Sequence, residues 1–352
     1  MKKICFIVPK VYLLFNDSLK ATYGGAEKQV YLIGRELEKI KDIDVNYIVN
    51  DYGQEDLEEK GNIKIWKAFF FKDNPFIAVK KIISKIKYIN PDYCIFRGDD
   101  KKIFIISLLL KFLLGQKYIF WISHDNLVRK MKLRNWLLFH NAFKVIAQTD
   151  DQKNMLKKKY NIESTVIRNI YVPTKDRLNT KLQRDIILWV GRSEKWKRPE
   201  VFLELAKRIQ NEKFVMVMSS ATGKSKYFNK IKSMAKNVIN LEFVENVKHN
   251  ELQVFYRRTK SYVITSKEEG FSNTMMEAME FGCPILSLSI NPDDIFDNDK
   301  IGFCAKNNLE DFISYFHYLI EDQANKRNDG LKYLITKHNK KSLIEDFNYV
   351  IK

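Results

Sequence analysis

The sequence predicts an α/β protein made of two doubly wound halves, and three observations carry that expectation. Short apolar runs rich in β-branched residues alternate with amphipathic helical stretches along the chain. The alternation comes in two series of similar length, separated by a polar stretch. A chain of 352 residues, 45% hydrophobic and 30% charged, also suffices for two separate cores in an ordinary globular protein.

In the first half, Ile4–Val8, Val45–Val49, Asp92–Phe96, Tyr118–Ile122 and Val145–Gln148 read as buried strands, and Ala26–Ile40 and Ile77–Ile89 as amphipathic helices. Such alternation predicts parallel βαβ units with helices on both sheet faces. Residues 172–184 are polar, lack apolar periodicity and begin near a proline, as a linker would. In the second half, Ile186–Val190, Phe214–Met218, Ile239–Phe243, Ser261–Thr265 and Pro284–Leu288 are the strand candidates. Pro199–Gln210, Tyr227–Ala235, Glu251–Arg257 and Thr274–Phe281 are the helices between them. The last stretch, Ser342–Lys352, has helical spacing at Leu343, Phe347 and Val350 and is expected to pack back on the first half. The domains so drawn are 1–172, a linker 173–184, a second domain 185–335 and the C-terminal helix region 336–352.

Composition narrows the class. The four cysteines lie far apart with no C-x-x-C pair, which points to reduced thiols in a cytoplasm, with Cys5 and Cys94 as small buried hydrophobes. Pro9 and Lys10 cut short the N-terminal apolar run, so it does not read as a signal peptide. The apolar stretch Ile103–Ile122 is broken by Lys111, Gly115, Gln116 and Lys117, and reads as a helix followed by a strand, not a membrane span. The net charge is +18, and residues 101–200 hold 22 Lys and Arg against 8 Asp and Glu. That excess suits an anionic membrane surface or a pyrophosphate-linked acceptor, and equally suits plain solvated faces. No nucleic-acid-reading motif accompanies it.

Ligands of open α/β sheets bind outside the carboxyl ends of the strands, so the chemistry should follow strands. In Ser266–Leu286, SKEEGFSNTMMEAMEFGCPIL, a strand runs into a turn holding Glu269 and Gly270, and a helix starts near Asn273. Ser272, Asn273 or Thr274 can cap it, leaving backbone N–H groups and the helix dipole for a phosphate. Glu269 and Glu277, eight residues apart, could meet the two ends of a ligand whose diphosphate rests between them, since a carboxylate matches a vicinal diol. On the glutamates alone, a plain βα unit with two solvated carboxylates reads as well.

The segment EGFSNTMMEAMEFGCPI resembles the E-x7-E signature of the retaining GT-B glycosyltransferases of family GT4, the glycosyltransferase group 1 family. Glu269, Gly270, Phe271, Glu277, Ala278, Met279, Gly282 and Pro284 all match. The resemblance implies that Glu277 holds the ribose hydroxyls, that Glu269 contacts the donor sugar ring, and that backbone amides around Ser272, Asn273 and Thr274 hold the diphosphate. After the first strand of the second half comes VGRSEKWKRPEVFLELA, in which Arg192 and Lys197 could reach a diphosphate. Lys197 aligns with the family's lysine, in a K-R-P variant of the usual K-G. Positive charge there would stabilise the departing nucleoside diphosphate.

The first half resembles the family more loosely. Gly24 and Gly25, opening a helix, look like its glycine pair after the first strand, where backbone approaches phosphate or acceptor. His124 in WISHD matches a family histidine near the donor sugar. Thr149 replaces a usual serine, and in VIRNI Arg168 and Ile170 replace proline and glycine, which puts shared loop contacts there in question.

Two lookalikes carry less. Ala221-Thr222-Gly223-Lys224-Ser225 resembles the end of a P-loop, but Met218 stands where its first glycine should be. Asp297-Asn298-Asp299 is a D-x-D triplet in a polar stretch that reads as a loop, and no cluster has metal-ligand spacing.

The resemblance implies a GT-B architecture of two Rossmann-like domains facing across a cleft, nucleotide on the second and acceptor on the first. The implied reaction is metal-independent transfer of a sugar from a UDP- or GDP-type donor to an acceptor hydroxyl with retention, without other cofactor. No residue stands out as a covalent nucleophile, which leaves front-face displacement through an oxocarbenium-like transition state. Charge and family together suggest glycan or lipid-linked glycan acceptors, in surface polysaccharide assembly at the inner face of the cell membrane. A nucleotide-sugar epimerase of the same fold, and a non-catalytic basic scaffold, are the alternatives that the sequence leaves open.

Overall fold

The structure is a computed structural model. It describes all residues except 17, 20–22, 70–74, 99–100, 175–182, 222–224, 246, 249–250, 300 and 322. The chain divides into two compact units: Met1–Ile170 together with Lys340–Lys352, and Tyr171–Asn339.

The first unit is built on β1 (Lys2–Ile7), α1 (Gly25–Leu37), β2 (Ile43–Asn50), β3 (Leu57–Lys60), β4 (Ile63–Phe69), α2 (Pro75–Ile89), β5 (Tyr93–Arg97) and α3 (Lys101–Leu114). There follow β6 (Tyr118–Trp121), α4 (Asn126–Arg129), α5 (Leu133–Asn141), β7 (Lys144–Ala147), α6 (Asp150–Tyr160) and β8 (Thr165–Val166). The sheet order is β3-β4-β2-β1-β5-β6-β7-β8, parallel throughout except for β3 against β4. Its central six strands run in the doubly wound order, and the order reverses between β1 and β5. Both sheet faces are covered, which explains why β2 is buried at every residue, its polar Asp44, Asn46 and Asn50 included. One face packs Phe6, Tyr47, Val30 and Ile33, together with Leu343, Phe347 and Val350 of the C-terminal helix Lys340–Ile351. The other packs Cys5, Cys94, Phe96, Phe120 and Leu110. Cys5 and Cys94 are register partners on neighbouring strands, both free and both buried, and burial pushes the Cys5 thiol up.

The expected strands of this half form within a residue or two of their sequence limits, and Ile103–Ile122 divides into α3 and β6 as expected. The hairpin β3–β4 and the short β8 were not expected. β3 is a solvated edge of charged residues, LEEK, with no apolar alternation to betray it. Where the family's serine is replaced, Thr149 caps α6, its side chain accepting from Gln152 N. At the VIRNI departures Arg168 pairs with Asp150, and Ile170 is buried with its N–H bonded to Gln29 Oε1 at 2.7 Å.

The second unit contains β9 (Ile186–Arg192), α7 (Pro199–Arg208), β10 (Lys213–Ser219), α8 (Ser225–Ala235), β11 (Leu241–Glu245), α9 (Leu252–Arg258) and β12 (Thr259–Ile264). It continues with α10 (Asn273–Glu280), β13 (Ile285–Ser287), α11 (Ile295–Asn298), β14 (Gly302–Cys304), α12 (Leu309–Glu321) and α13 (Gln323–Lys337). Its strands are all parallel in the order β11-β10-β9-β12-β13-β14, again doubly wound, with the reversal between β9 and β12. The two faces bury Met275, Met279, Phe281 and Tyr333 on one side and Trp189, Phe202, Phe214 and Phe316 on the other.

One expectation needs correction here. Asp297 and Asn298 lie in the short helix α11, not in a loop, and Asp297 Oδ2 accepts from the Asn291 amide at 3.0 Å. Most of the expected linker, and the centre of the P-loop lookalike at 222–224, lie outside the described residues. At the start of the linker Thr174 N and Oγ1 donate to Glu280 at 2.5 and 3.0 Å, and Tyr171 OH donates to the same carboxylate at 3.2 Å.

Candidate active site

The site residues of the second unit gather at its switch point, after β9 and after β12. β9 ends on Arg192, in register with Ser219 of β10. A single 3-10 turn at Lys195–Lys197 then leads into α7. Between turn and helix, Arg198 sits at φ 51° and ψ 51°, in the left-handed region that costs a non-glycine residue roughly 1–2 kcal/mol. That is where the related pattern has glycine, and the strain is local to this turn. Arg198 Nη1 donates to Asn307 Oδ1 at 2.7 Å.

Lys197 Nζ donates to Glu269 Oε1 at 2.6 Å, and the two side chains are 12% and 13% exposed. The residues of this pair are 72 positions apart in sequence. Its geometry is set by a relay beneath it. Trp189 Nε1, inside β9, donates to Thr265 Oγ1 at 3.0 Å, and that hydroxyl donates to the Lys197 carbonyl at 2.6 Å. Lys267 N donates to the Trp196 carbonyl at 2.8 Å, tying the loop after β12 to the same turn. The Lys197 ammonium also lies 4.8 Å from the centre of the Trp196 ring.

Gly270 and Phe271 follow, both buried. The Phe271 ring packs on Tyr333 and His338, so whatever this residue gives a ligand comes from its main chain. Of the three capping candidates Ser272 is the cap: its Oγ accepts from Met275 N at 3.1 Å, and its carbonyl takes the Met276 amide. The amides at Asn273 and Thr274 have no carbonyl of the helix to bond, as at any helix start, and the dipole of α10 adds to their pull on an anion. One turn in, Glu277 Oε2 accepts from Tyr256 OH at 3.1 Å. Tyr256 is fully buried, and burial together with the Glu277 charge pushes its phenol up, so it remains a donor to that carboxylate. Arg192 is half-buried at the strand end, and its guanidinium has no hydrogen-bond or ion-pair partner among the described residues.

The structure thus brings Lys197, Glu269, Gly270 and the start of α10 to one switch point, with Arg192 ending the neighbouring strand and Glu277 one turn into α10. Gly24, Gly25 and His124 belong to the first unit. Gly24 precedes α1, its N–H donating to Glu27 Oε2 at 2.9 Å, and its φ of −103° is open to any residue. His124 is exposed on the loop between β6 and α4. Among the described residues no group of three or more His, Cys, Asp or Glu could hold a metal ion. Tyr256, Thr265 and Trp189 escape a reading of the sequence, because their roles come from bonds between elements remote in sequence. A threonine directly after a strand, at Thr265, is the one available signal.

Comparison with known proteins agrees with this geometry. Residues 173–346 match the family model described as glycosyl transferases group 1. The chain is 25% identical, over 92% of its length and 91% of the relative's, to an uncharacterized glycosyltransferase of Haemophilus influenzae. It is 27% identical to the O-antigen chain mannosyltransferase RfbU of Salmonella typhimurium, over 47% of this chain and 51% of that one. Anabaena HepE, solved in complex with UDP-glucose, superposes with a TM-score of 0.73 at 12% identity, covering 100% of this chain and 99% of that one. With the signature residues assembled at the switch point of the domain that the family model matches, the chain is a glycosyltransferase of GT-B fold whose residues 173–346 are of the group 1 type.

Proposed function

We propose that the protein transfers a sugar from a nucleoside diphosphate donor of UDP or GDP type to an acceptor hydroxyl, with retention of configuration and without a metal. The observation that carries this reading is the Lys197–Glu269 pair beside the capped start of α10. It offers a cation for the diphosphate and a carboxylate for the sugar at one point. In this reading the amides at Ser272, Asn273 and Thr274 cradle the diphosphate, and Glu277, oriented by Tyr256, binds the ribose diol. Lys197 and Arg192 stabilise the charge that gathers on the leaving diphosphate, the work a divalent metal does elsewhere. With no covalent nucleophile in the set, the acceptor attacks from the face that the diphosphate leaves. The departing oxygen takes the proton, and the Glu269 carboxylate steadies the oxocarbenium-like centre. The family resemblance assigns a part in the reaction to His124, Gly24 and Gly25 of the first unit as well.

Assembly of a surface glycan at the cytoplasmic face of the membrane fits the O-antigen relative and the basic middle of the chain. Phe112 and Leu113 on α3 and Leu133 on α5 are 69%, 66% and 74% exposed, within the most lysine- and arginine-rich part of the sequence. Those features suit an anionic bilayer surface. Among the described residues no helix is long and apolar enough to cross one.

The test is a thermal-shift titration with UDP, GDP and their sugar conjugates in EDTA. A ligand at 100 times its Kd should stabilise the fold by about 2.7 kcal/mol. A response to one base, lost in Glu277→Ala, supports the reading. Silence toward every nucleotide sinks it. The anomeric configuration of the product, read by NMR, tests retention.

A further inference from the structure

The first unit repeats the doubly wound order, so it has a switch point of its own, between β1 and β5. In the second unit the corresponding place holds the Lys197–Glu269 pair. In the first, β5 ends there on Arg97, a cation only 4% exposed. The chain turns directly after it at Gly98, whose φ of +133° only glycine adopts readily. The Arg97 guanidinium lies 3.8 Å from the ring centre of Trp121, its register partner at the end of β6. Nη2 donates to Asn169 Oδ1 at 3.2 Å. Nε and Nη1 are buried without a hydrogen-bond partner, and so is Trp121 Nε1 beside them.

Such an arrangement is expensive for the fold. A buried cation is ordinarily paired with a carboxylate, and each unmet donor adds its own desolvation cost. Arg97 has no ion pair among the described residues. Burial pushes its guanidinium down to about 9, against the opposing pull of the Glu27 charge in the first turn of α1, so it stays cationic at neutral pH. Arginine and indole offer donors only, and the N-terminal end of α1 favours negative charge as well. Apart from the Glu27 carboxylate, which already accepts from Gly24 N, and the Asn169 Oδ1 acceptor, the polar groups named here are complementary to an oxyanion.

We propose that Arg97 and Trp121 form an oxyanion-binding site at the switch point of the first unit, taking a phosphate or carboxylate group of the acceptor. The assignment to the acceptor rests on the proposed transfer reaction; the oxyanion site does not.

The full chain is titrated with inorganic phosphate, pyrophosphate and glucuronate, reading tryptophan emission and melting temperature, in wild type, Lys197→Ala, Arg97→Lys and Arg97→Met. Lys197→Ala separates this site from the one in the second unit. A saturable response is expected in wild type and Lys197→Ala. Its midpoint should rise at least 10-fold in Arg97→Lys, which lacks the planar fork, and the response should vanish in Arg97→Met. Without ligand, Arg97→Met should melt at or above wild type, because an apolar chain of similar length replaces an unpaired buried cation. Preference for phosphate or for glucuronate then distinguishes a phosphorylated from a uronic acceptor. No response in wild type, or an unchanged midpoint in Arg97→Met, overturns the proposal. So does a ligand-free Arg97→Met that melts well below wild type, which would make the guanidinium a brace of the fold. Sugar transfer is not read, so failure of the nucleotide titration leaves this result standing.

Discussion

Lys197 Nζ lies 2.6 Å from Glu269 Oε1, joining the turn after β9 to the loop after β12 through two nearly buried side chains. Without a donor, each charge neutralises the other. In the proposed reaction an arriving diphosphate would give Lys197 a second anion to hold and free Glu269 toward the sugar. The pair is a structural link, and in the proposed reaction also a reserve of charge.

Removing one partner leaves the other charge unpaired, and a broken buried pair costs about 3–5 kcal/mol. Glu269→Ala and Lys197→Ala should each lower stability toward urea, while the double variant should lose less than the sum. Lys197→Ala should also lower kcat/KM by about 10²-fold, the scale for one lost electrostatic stabiliser. Additive stability losses, or unchanged kinetics in Lys197→Ala, would remove the pair from the site.

Glu269→Gln should separate binding from turnover. With Lys197 no longer neutralised, affinity for the nucleoside diphosphate should be kept or rise, while kcat falls by about 10²-fold or more. Glu277→Ala should do the opposite and weaken nucleotide binding. Calorimetric titration with the nucleotide and initial rates decide this, and equal loss of affinity in both variants would contradict the division of labour.

Thr265→Val should disturb the site without touching a ligand. It removes the hydroxyl that bonds the Lys197 carbonyl and leaves the Trp189 Nε1 donor unmet in the core. Stability should drop by about 1–3 kcal/mol, the cost of a buried unsatisfied donor. kcat should fall more than KM rises, because Lys197 loses its fixed position. Thr265→Ser, which keeps the hydroxyl, should restore most of both.

Asp185 and Arg258 form a side-on fork, Nε to Oδ1 at 2.9 Å and Nη2 to Oδ2 at 2.5 Å. Those bonds hold the Asp185 carboxyl below its ordinary value. A carboxyl depressed in the folded state adds stability above its unfolded pKa, about 3.9, and loses it as pH falls through the lower folded value. Asp185→Asn should therefore melt below wild type at pH 7, and the gap should close as pH drops below about 4. Both side chains are about a third or more exposed, so the gap should be small and shrink with salt. A gap that persisted at pH 2 would mean that the fork is not its source.

Much of the site is legible in the amino-acid sequence. Glu269, Gly270 and Glu277 are placed by a strand, a turn and a helix close together in sequence, where local chemistry leaves few choices. The same holds for the alternation of strands and helices, since parallel strands buried on both faces must be apolar runs between amphipathic helices. β3 escapes such a reading because a solvated edge strand has no face to keep apolar, and α11 because its polar residues read as a turn.

The two doubly wound halves and the acidic pair of the second are thus written in the chain itself, because burial and helix capping leave their marks on neighbouring residues. Folding in three dimensions settles the rest: that Lys197 meets Glu269, that Thr265 and Trp189 hold that lysine in place, that Tyr256 orients Glu277, and that Arg97 is buried over Trp121 with donors to spare. Each of these joins elements remote along the chain. Within each unit the strand order that brings these partners together is set by how that unit's sheet packs, which local residue pattern does not record.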